Sequence, residues 1–231
     1  MSQPVSYHFE NGISTITLDD GKVNALSVAM QADINAALDK AEADGGIVVI
    51  VGNQKMFSAG FDLKVFQTGG DELKQMLIGG FMLSQRLMTF PTPVIAACTG
   101  HAMAMGFFLL LSCDYRVGVN TEVKLCANEV AIGLTLPYSA VEVCRQKLAP
   151  TVFCRVTNLA ESFWGESAVA AGILDKAVSL EQVLISAQEK ARQFKELNLA
   201  AYKATKARTK ADTFTALQVA MEKDTAGWQI R

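Results

Sequence analysis

Two stretches of small residues and one carboxylate carry the chemistry this sequence could do. The first, Met56-Phe57-Ser58-Ala59-Gly60-Phe61-Asp62-Leu63-Lys64, follows a β-branched run; the second, Thr99-Gly100-His101-Ala102-Met103-Ala104-Met105-Gly106, follows another apolar run. Both lead from a predicted strand into a predicted helix. Small side chains at Ser58, Ala59 and Gly60 let a ligand lie close to the main chain, and the first amides of a helix point outward without partners. Two N–H groups converging from two such turns can hold an oxygen that gains negative charge during reaction. Each donor of this kind is worth about 2.7–4 kcal/mol in the transition state. The third feature is Asn128-Glu129, set in the mostly apolar segment 125–136. Desolvation there would raise the carboxyl pKa and make it a proton acceptor near neutral pH. Glycine turns are also ordinary strand-to-helix connections, and a glutamate is more often a surface residue, so spacing alone leaves both readings open.

The elements that must position these groups alternate between strand and helix. Val5–Glu10 and Ile13–Leu18 flank Asn11-Gly12, a dipeptide that tolerates positive φ, and predict an opening hairpin. Ser27 stands as N-cap to a helix carrying Met30, Ile34, Ala37, Leu38 and Ala41, which ends before Gly45-Gly46. Ile47–Val51 and Val94–Cys98 read as strands covered on both faces, with a helix capped by Asp71 between them. Residues 102–111 read as a buried helix, 115–119 and 123–126 as strands, and 138–148 as helix. From Pro150 onward nearly everything reads as helix, which gives an α/β domain with a helical carboxy-terminal portion.

With 231 residues, half of them apolar, and a formal charge of −2, the chain predicts one globular domain with a large core and no electrostatic footprint for nucleic acid. Charged residues are 19% of the chain, below the ~25% typical of globular proteins, a hint of oligomerisation. The five cysteines are scattered singly, which fits neither a disulfide framework nor a zinc site and points to a reducing, cytoplasmic compartment. Only His8 and His101 offer imidazole, so a multi-histidine metal centre is excluded by counting. Residues 1–12 lack the apolar core of a signal peptide, and the longest apolar run is too short to span a bilayer. Residues 189–210 hold seven basic side chains against two acidic ones. They read as a solvated helix face, with an anionic ligand as the other reading.

In order along the chain, Phe57-Ser58-Ala59-Gly60-Phe61-Asp62-Leu63, Pro93-Val94-Ile95-Ala96-Ala97, Gly100-His101-Ala102, Cys113-Asp114-Tyr115-Arg116 and Asn128-Glu129-Val130-Ala131-Ile132-Gly133 resemble the enoyl-CoA hydratase/isomerase (crotonase) superfamily. Lys22-Val23-Asn24-Ala25-Leu26 resembles the segment that lies along coenzyme A in that family, and the match spans nearly the whole chain. The resemblance implies a ββα spiral core over residues 1–190. Residues 191–231 would be a helical oligomerisation segment, shorter than is usual, in a homotrimer or a dimer of trimers. It implies an acyl-CoA thioester as substrate, with coenzyme A entering only as part of that substrate and no metal.

Carried over position by position, the resemblance makes the N–H groups of Phe61 and Met105 the oxyanion hole. Lys22, Val23 and Ala25, together with Ala59, Gly60, Asp62, Leu63 and Lys64, become coenzyme A contacts. Ala104 and Met105 stand where glycines are common. Family hydratases use two glutamates; Glu129 matches the second, while the first falls on Phe108. One carboxylate above an enolate can still move a proton from C2 to C4, so the resemblance favours a Δ3,Δ2-enoyl-CoA isomerase with Phe108 as a dry pocket wall. His101 would line the acyl pocket or bond the backbone, and Asp114 would cap or turn the chain. The alternatives are a hydratase or thioester hydrolase drawing a second acid from Glu122, Glu142 or Glu161, and a non-catalytic acyl-CoA-binding or assembly subunit.

Overall fold

The computed structural model describes residues 3–228; the ends of the segments 1–12 and 191–231 therefore lie outside the described residues. Asn11 and Gly12 both take positive φ and close a hairpin of β1 (Val5–Glu10) and β2 (Ile13–Leu18). Ser27 caps α1 (Val28–Asp44) by accepting the Met30 N–H, and Gly45, left-handed at φ 67°, ends it. The buried run β3 (Ile47–Val51) then pairs in parallel with β2.

From here the chain repeats one pattern. β4 (Met56–Ser58) leaves the first sheet and leads into α2 (Leu63–Thr68) and α3 (Gly70–Thr89). β5 (Val94–Cys98), β6 (His101–Met103) and α4 (Met105–Ser112) repeat the turn. β7 (Tyr115–Val119), β8 (Leu125–Cys126) and a 3₁₀ turn at Val130–Ile132 repeat it again. The chain continues through α5 (Tyr138–Arg145), α6 (Pro150–Thr157), α7 (Gly165–Ala170), β9 (Lys176–Val178), α8 (Leu180–Phe194), α9 (Leu199–Thr209) and α10 (Ala211–Trp228). The large sheet has the order β1-β2-β3-β5-β7-β9, parallel except for the hairpin, and the small one is β4-β6-β8. Each turn thus gives one strand to each sheet, the expected ββα spiral with a helical end.

Several boundaries differ from the sequence reading. Residues 102–111 do not form one helix: Ala104, at φ 48° and ψ −126°, separates β6 from α4. Gly69 is the cap position of α3, and Asp71 sits in its first turn, where a carboxylate favours the helix dipole. The helix from Tyr138 ends at Arg145, and the 123–126 strand is Leu125–Cys126 alone. β9 has no counterpart in the sequence reading, because three residues with one exposed lysine show no period.

Long-range polar contacts fasten the carboxy-terminal helices. The Asp114 carboxylate accepts the Val94 N–H at 2.8 Å, the Tyr202 hydroxyl at 2.9 Å and the Lys206 ammonium at 2.8 Å, so one acid ties α9 to the start of β5. Asp224 on α10 accepts the Tyr138 and Ser139 N–H groups at 2.8 and 2.9 Å, capping α5 from outside. Lys206 is only 7% exposed, so removing its counter-ion strands a buried charge, at a typical cost of about 3–5 kcal/mol. Asp114→Ala is expected to lower the unfolding temperature by roughly 10 °C and to speed amide exchange across α9; thermal melts and hydrogen-exchange mass spectrometry check both.

Candidate active site

The small sheet gathers the three chemical features at one edge. β4 and β6 pair in parallel through Met56 with His101 and Ser58 with Ala102; β6 and β8 pair through Ala102 with Leu125 and Met103 with Cys126. Strands that run the same way release their following residues at the same edge. Gly60-Phe61, Ala104-Met105 and Asn128-Glu129 therefore emerge side by side. The Ala104 N–H donates to the Cys126 carbonyl at 3.1 Å and holds the second turn to the strand that leads to Glu129.

The two turns are in contact. A Cβ on Gly60, itself at φ 93°, would lie 2.9 Å from the Ala104 Cβ and 3.0 Å from the Met105 nitrogen, and one on Gly106 would lie 2.3 Å from the Ser58 carbonyl oxygen. Among the described residues the N–H groups of Phe61 and Met105 donate to nothing, and Met105 is the first residue of α4. Ala104 keeps a backbone conformation that side chains disfavour, a strain of order 1–3 kcal/mol, and thereby aims the peptide that carries the Met105 N–H.

The Phe61 ring is seated by the middle of α3. A Cβ on Gly80 would come within 2.5 Å of that ring and 3.3 Å of the Met105 sulfur. Phe61 also meets Phe81 edge-on at 6.3 Å, and Phe81 stacks on Phe108 at 6.2 Å. Phe108 is thus buried in an aromatic column that continues to Phe107. Neither Gly80 nor Phe81 was singled out by sequence reasoning. The available signal was Gly79-Gly80 inside a predicted helix, a pair whose propensity cost implies a packing reason.

Residues 22–26 lie along residues 58–60. The Ala59 N–H donates to Val23 at 3.0 Å, the Leu26 N–H to Gly60 at 2.8 Å, and the Ser58 hydroxyl to Asn24 at 2.8 Å. Asn24, buried at φ 51°, donates through its side chain to the carbonyls of Leu18, Met56 and Phe57. Asp20 accepts the N–H groups of Lys22, Asn24 and Ala25. These two polar staples were also missed; Asp20-Gly21 and Asn24 are the turn formers that signal them. Lys22 and Val23 are exposed, Ala25 is half-buried, and Leu63 and Lys64 are exposed on α2 behind Asp62, its N-cap.

His101 stands apart from the other predicted site residues. It opens β6, at the end of the strand away from Met105, and its Nδ1 accepts the Lys124 N–H at 2.8 Å. Of the two roles the sequence allowed it, the backbone bond is the one it makes.

The Glu129 carboxyl is pushed up to about 7 by burial. Its Oε2 is buried without a partner, as is Asn128 Oδ1. Among the described residues no other carboxylate shifts it. Glu161 pairs with Arg155 and Glu142 with Arg145, while Glu122 is exposed. Among the described residues no group of three or more His, Cys, Asp or Glu could hold a metal, and no helix is long and apolar enough to cross a membrane.

Residues 8–228 match the family model for enoyl-CoA hydratase/isomerase. The chain belongs to that family. This hydratase/isomerase-family enzyme is 46% identical to an enoyl-CoA isomerase of Mycobacterium tuberculosis whose apo structure is known, with 98% of this chain and 99% of that one covered at a TM-score of 0.94. It is 45% identical to the probable enoyl-CoA hydratase EchA3 of Mycobacterium tuberculosis H37Rv, covering 99% and 97% of the two chains at a TM-score of 0.95. These two structures are of one protein, described as an enoyl-CoA isomerase and as a probable enoyl-CoA hydratase. The peroxisomal enoyl-CoA delta isomerase 2 of Arabidopsis thaliana is 35% identical over 63% of this chain and 65% of its own length. An acyl-CoA substrate follows from the family.

The buried carboxyl has a consequence for stability. An acid with a folded pKa of about 7 against an ordinary 4.5 holds its proton more tightly when folded, so stability is full below pH 4.5 and falls as pH rises through 7. Glu129→Gln, neutral throughout, is expected to be more stable than wild type by about 1–2 kcal/mol at pH 8 and equal to it at pH 4. Urea titrations at the two pH values measure the difference.

Proposed function

We propose that this enzyme is a Δ3,Δ2-enoyl-CoA isomerase. The thioester oxygen of a 3-enoyl-CoA accepts the N–H groups of Phe61 and Met105. Glu129 removes a proton from C2, the hole carries the enolate charge, and the same carboxylic acid returns the proton at C4. Lys22, Val23, Ala25 and the stretch from Ala59 to Lys64 hold the coenzyme A portion, bound as part of the substrate. The observation that carries this reading is the solitude of Glu129. Hydration needs a base for water and an acid for the α-carbon, and where a family hydratase has its other glutamate this chain has Phe108, packed against Phe81. A carboxyl raised to about 7 by burial suits a base that must both take and give a proton near neutrality.

The proposal extends to assembly and compartment. Val130, Ile132 and Leu134, next to Glu129, are 43%, 58% and 47% exposed. An apolar loop of that kind supports a subunit contact, and we assign the enzyme to a homotrimer or dimer of trimers, with the terminal helices taking part. Free thiols at Cys98, Cys113, Cys126 and Cys144 support a reducing, cytoplasmic location.

Turnover of 3-enoyl-CoA and hydration of 2-enoyl-CoA, measured over several chain lengths, test the reading. Isomerisation without hydration is expected. Glu129→Gln should lower kcat by about 10²–10⁴-fold with little change in KM. Since the base works ionised, kcat/KM should rise with pH, bend near 7 and level off above 8, and the bend should vanish in the variant. Hydration that survives Glu129→Gln would overturn the one-carboxylate mechanism.

A further inference from the structure

Gln31, near the start of α1, carries a primary amide into the core and is only 4% exposed. Its Nε2 donates to the Leu26 carbonyl at 3.0 Å and to the Met76 carbonyl on α3 at 2.9 Å. Two carbonyl acceptors fix which end of the amide this is, since Oε1 has no hydrogen to give either of them. Oε1 lies against Gly79, where a Cβ would come within 2.3 Å of it. The next residue, Gly80, is where the Phe61 ring is seated. Neighbouring positions on α3 therefore receive the amide of Gln31 and the ring of Phe61.

The bond to Leu26 matters because of what Leu26 holds in turn. Its N–H donates to the Gly60 carbonyl at 2.8 Å. A peptide group is planar and trans, with its C=O and N–H pointing opposite ways, so fixing the Gly60 carbonyl also aims the Phe61 N–H. The same bond polarises that peptide and makes its N–H a stronger donor. The second turn needs no such brace. The Ala104 carbonyl, on the peptide that carries the Met105 N–H, accepts the Phe107 and Phe108 N–H groups at 2.9 and 3.1 Å, both from α4 itself. Gly60 has no helix to do this, because α2 starts from Asp62, whose carbonyl takes the Val65 and Phe66 N–H groups. Of the two donors, the one at Phe61 is thus aimed from outside, by a segment that Gln31 pins.

We propose that Gln31 is a positioning residue for the reaction: by holding Leu26 it keeps the Gly60–Phe61 peptide turned so that the Phe61 N–H meets the thioester oxygen. The inference rests on the reading of that N–H as an oxyanion donor. Gln31 acts through Leu26 and touches no reacting atom. A plain tie between α1 and α3 is the competing account, and the same two helices offer a control. Arg86 on α3 joins them through Asn35 and Asp39 on α1, with no bond to Leu26.

The test compares Gln31→Met, which keeps the volume and removes both bonds, with Arg86→Met. Gln31→Met is expected to lower kcat for 3-enoyl-CoA by about 10–100-fold with KM unchanged. The bend of its pH profile should stay near 7, since Glu129 is untouched. Bound acetoacetyl-CoA, whose enolate absorbs in the near ultraviolet, reads the hole without turnover, and the enolate band of wild type should be lost in Gln31→Met. Arg86→Met should keep both turnover and band while melting lower. Gln31→Glu, which as a buried acid retains one donor of the two, should show a smaller loss of the same kind, and it carries the test if the methionine variant does not fold. Equal kcat and equal enolate in wild type and the Gln31 variants would overturn the inference. So would a loss shared equally by Arg86→Met, or a raised KM at unchanged kcat, which would make Gln31 a brace for coenzyme A binding alone. A wild type that forms the enolate without isomerising 3-enoyl-CoA would overturn the isomerase reading alone, with the role of Gln31 upheld by loss of the band in its variants. A wild type that binds acetoacetyl-CoA without forming enolate would overturn the oxyanion hole and the role of Gln31 together.

Discussion

The main chain must cross from the large sheet to the small one with almost no space between backbones, and everything at the site depends on that crossing. A Cβ on Gly52 would fall 2.3 Å from the Met56 carbonyl oxygen, one on Gly100 2.0 Å from that of Lys55, and one on Gly106 2.3 Å from that of Ser58. These neighbours are backbone and cannot turn aside, so the three positions require glycine on contact distance alone, without any appeal to φ. With the crossings closed, β4, β6 and β8 reach parallel register, and the residues after them meet at one edge. The same crossings bury the neighbouring polar groups, which is why Asn24 must answer three carbonyls at once.

Three departures from local rules coincide at the edge so formed. Ala104 sits in a disfavoured conformation, two N–H groups lack acceptors among the described residues, and Glu129 buries a carboxyl oxygen without a partner there. Each is unfavourable alone, and their coincidence at one edge is what a site prepared for an anionic reaction intermediate requires. The surrounding core offsets the cost. β3 and β5 are buried throughout, and α4 is buried along its whole length immediately beyond the strained residue.

How much of this was legible in the sequence follows from the range of the forces involved. Asn11-Gly12, the Ser27 cap and the apolar runs at Ile47–Val51 and Val94–Cys98 act within a few residues, and each produced the element it predicted. β6 and β9 are strands only because neighbours pair with them, so no local period reveals them. Glu129 and Ser27 were equally visible as residue types. Only Ser27 has its role set locally, whereas the burial of Glu129 comes from elements distant in sequence, and spacing left it open between surface and site. Lys206 is the sharpest failure of local reading. In the basic stretch it looks like its solvated neighbours, and its burial depends on Asp114, 92 residues earlier.

Phe108 shows how one side chain can bear on both the hole and the base. On the isomerase reading, replacing the glutamate of a hydratase removes the group that would activate water. The ring put in its place also stacks on Phe81, which meets Phe61 edge-on, and Phe61 carries one of the two N–H donors. Aromatic contacts of this kind add about 0.5–1.5 kcal/mol beyond area burial and resist rotation of the residues they join. The Phe61 ring is held from the other side by Gly80, where any Cβ would strike it. A donor fixed before substrate arrives loses no free energy to reorganisation as the enolate forms, and a dry wall keeps the neighbouring field undiluted by water. On the isomerase reading, a phenylalanine in place of one catalytic acid thus strengthens the groups that remain, which is the condition for a single carboxylate to suffice.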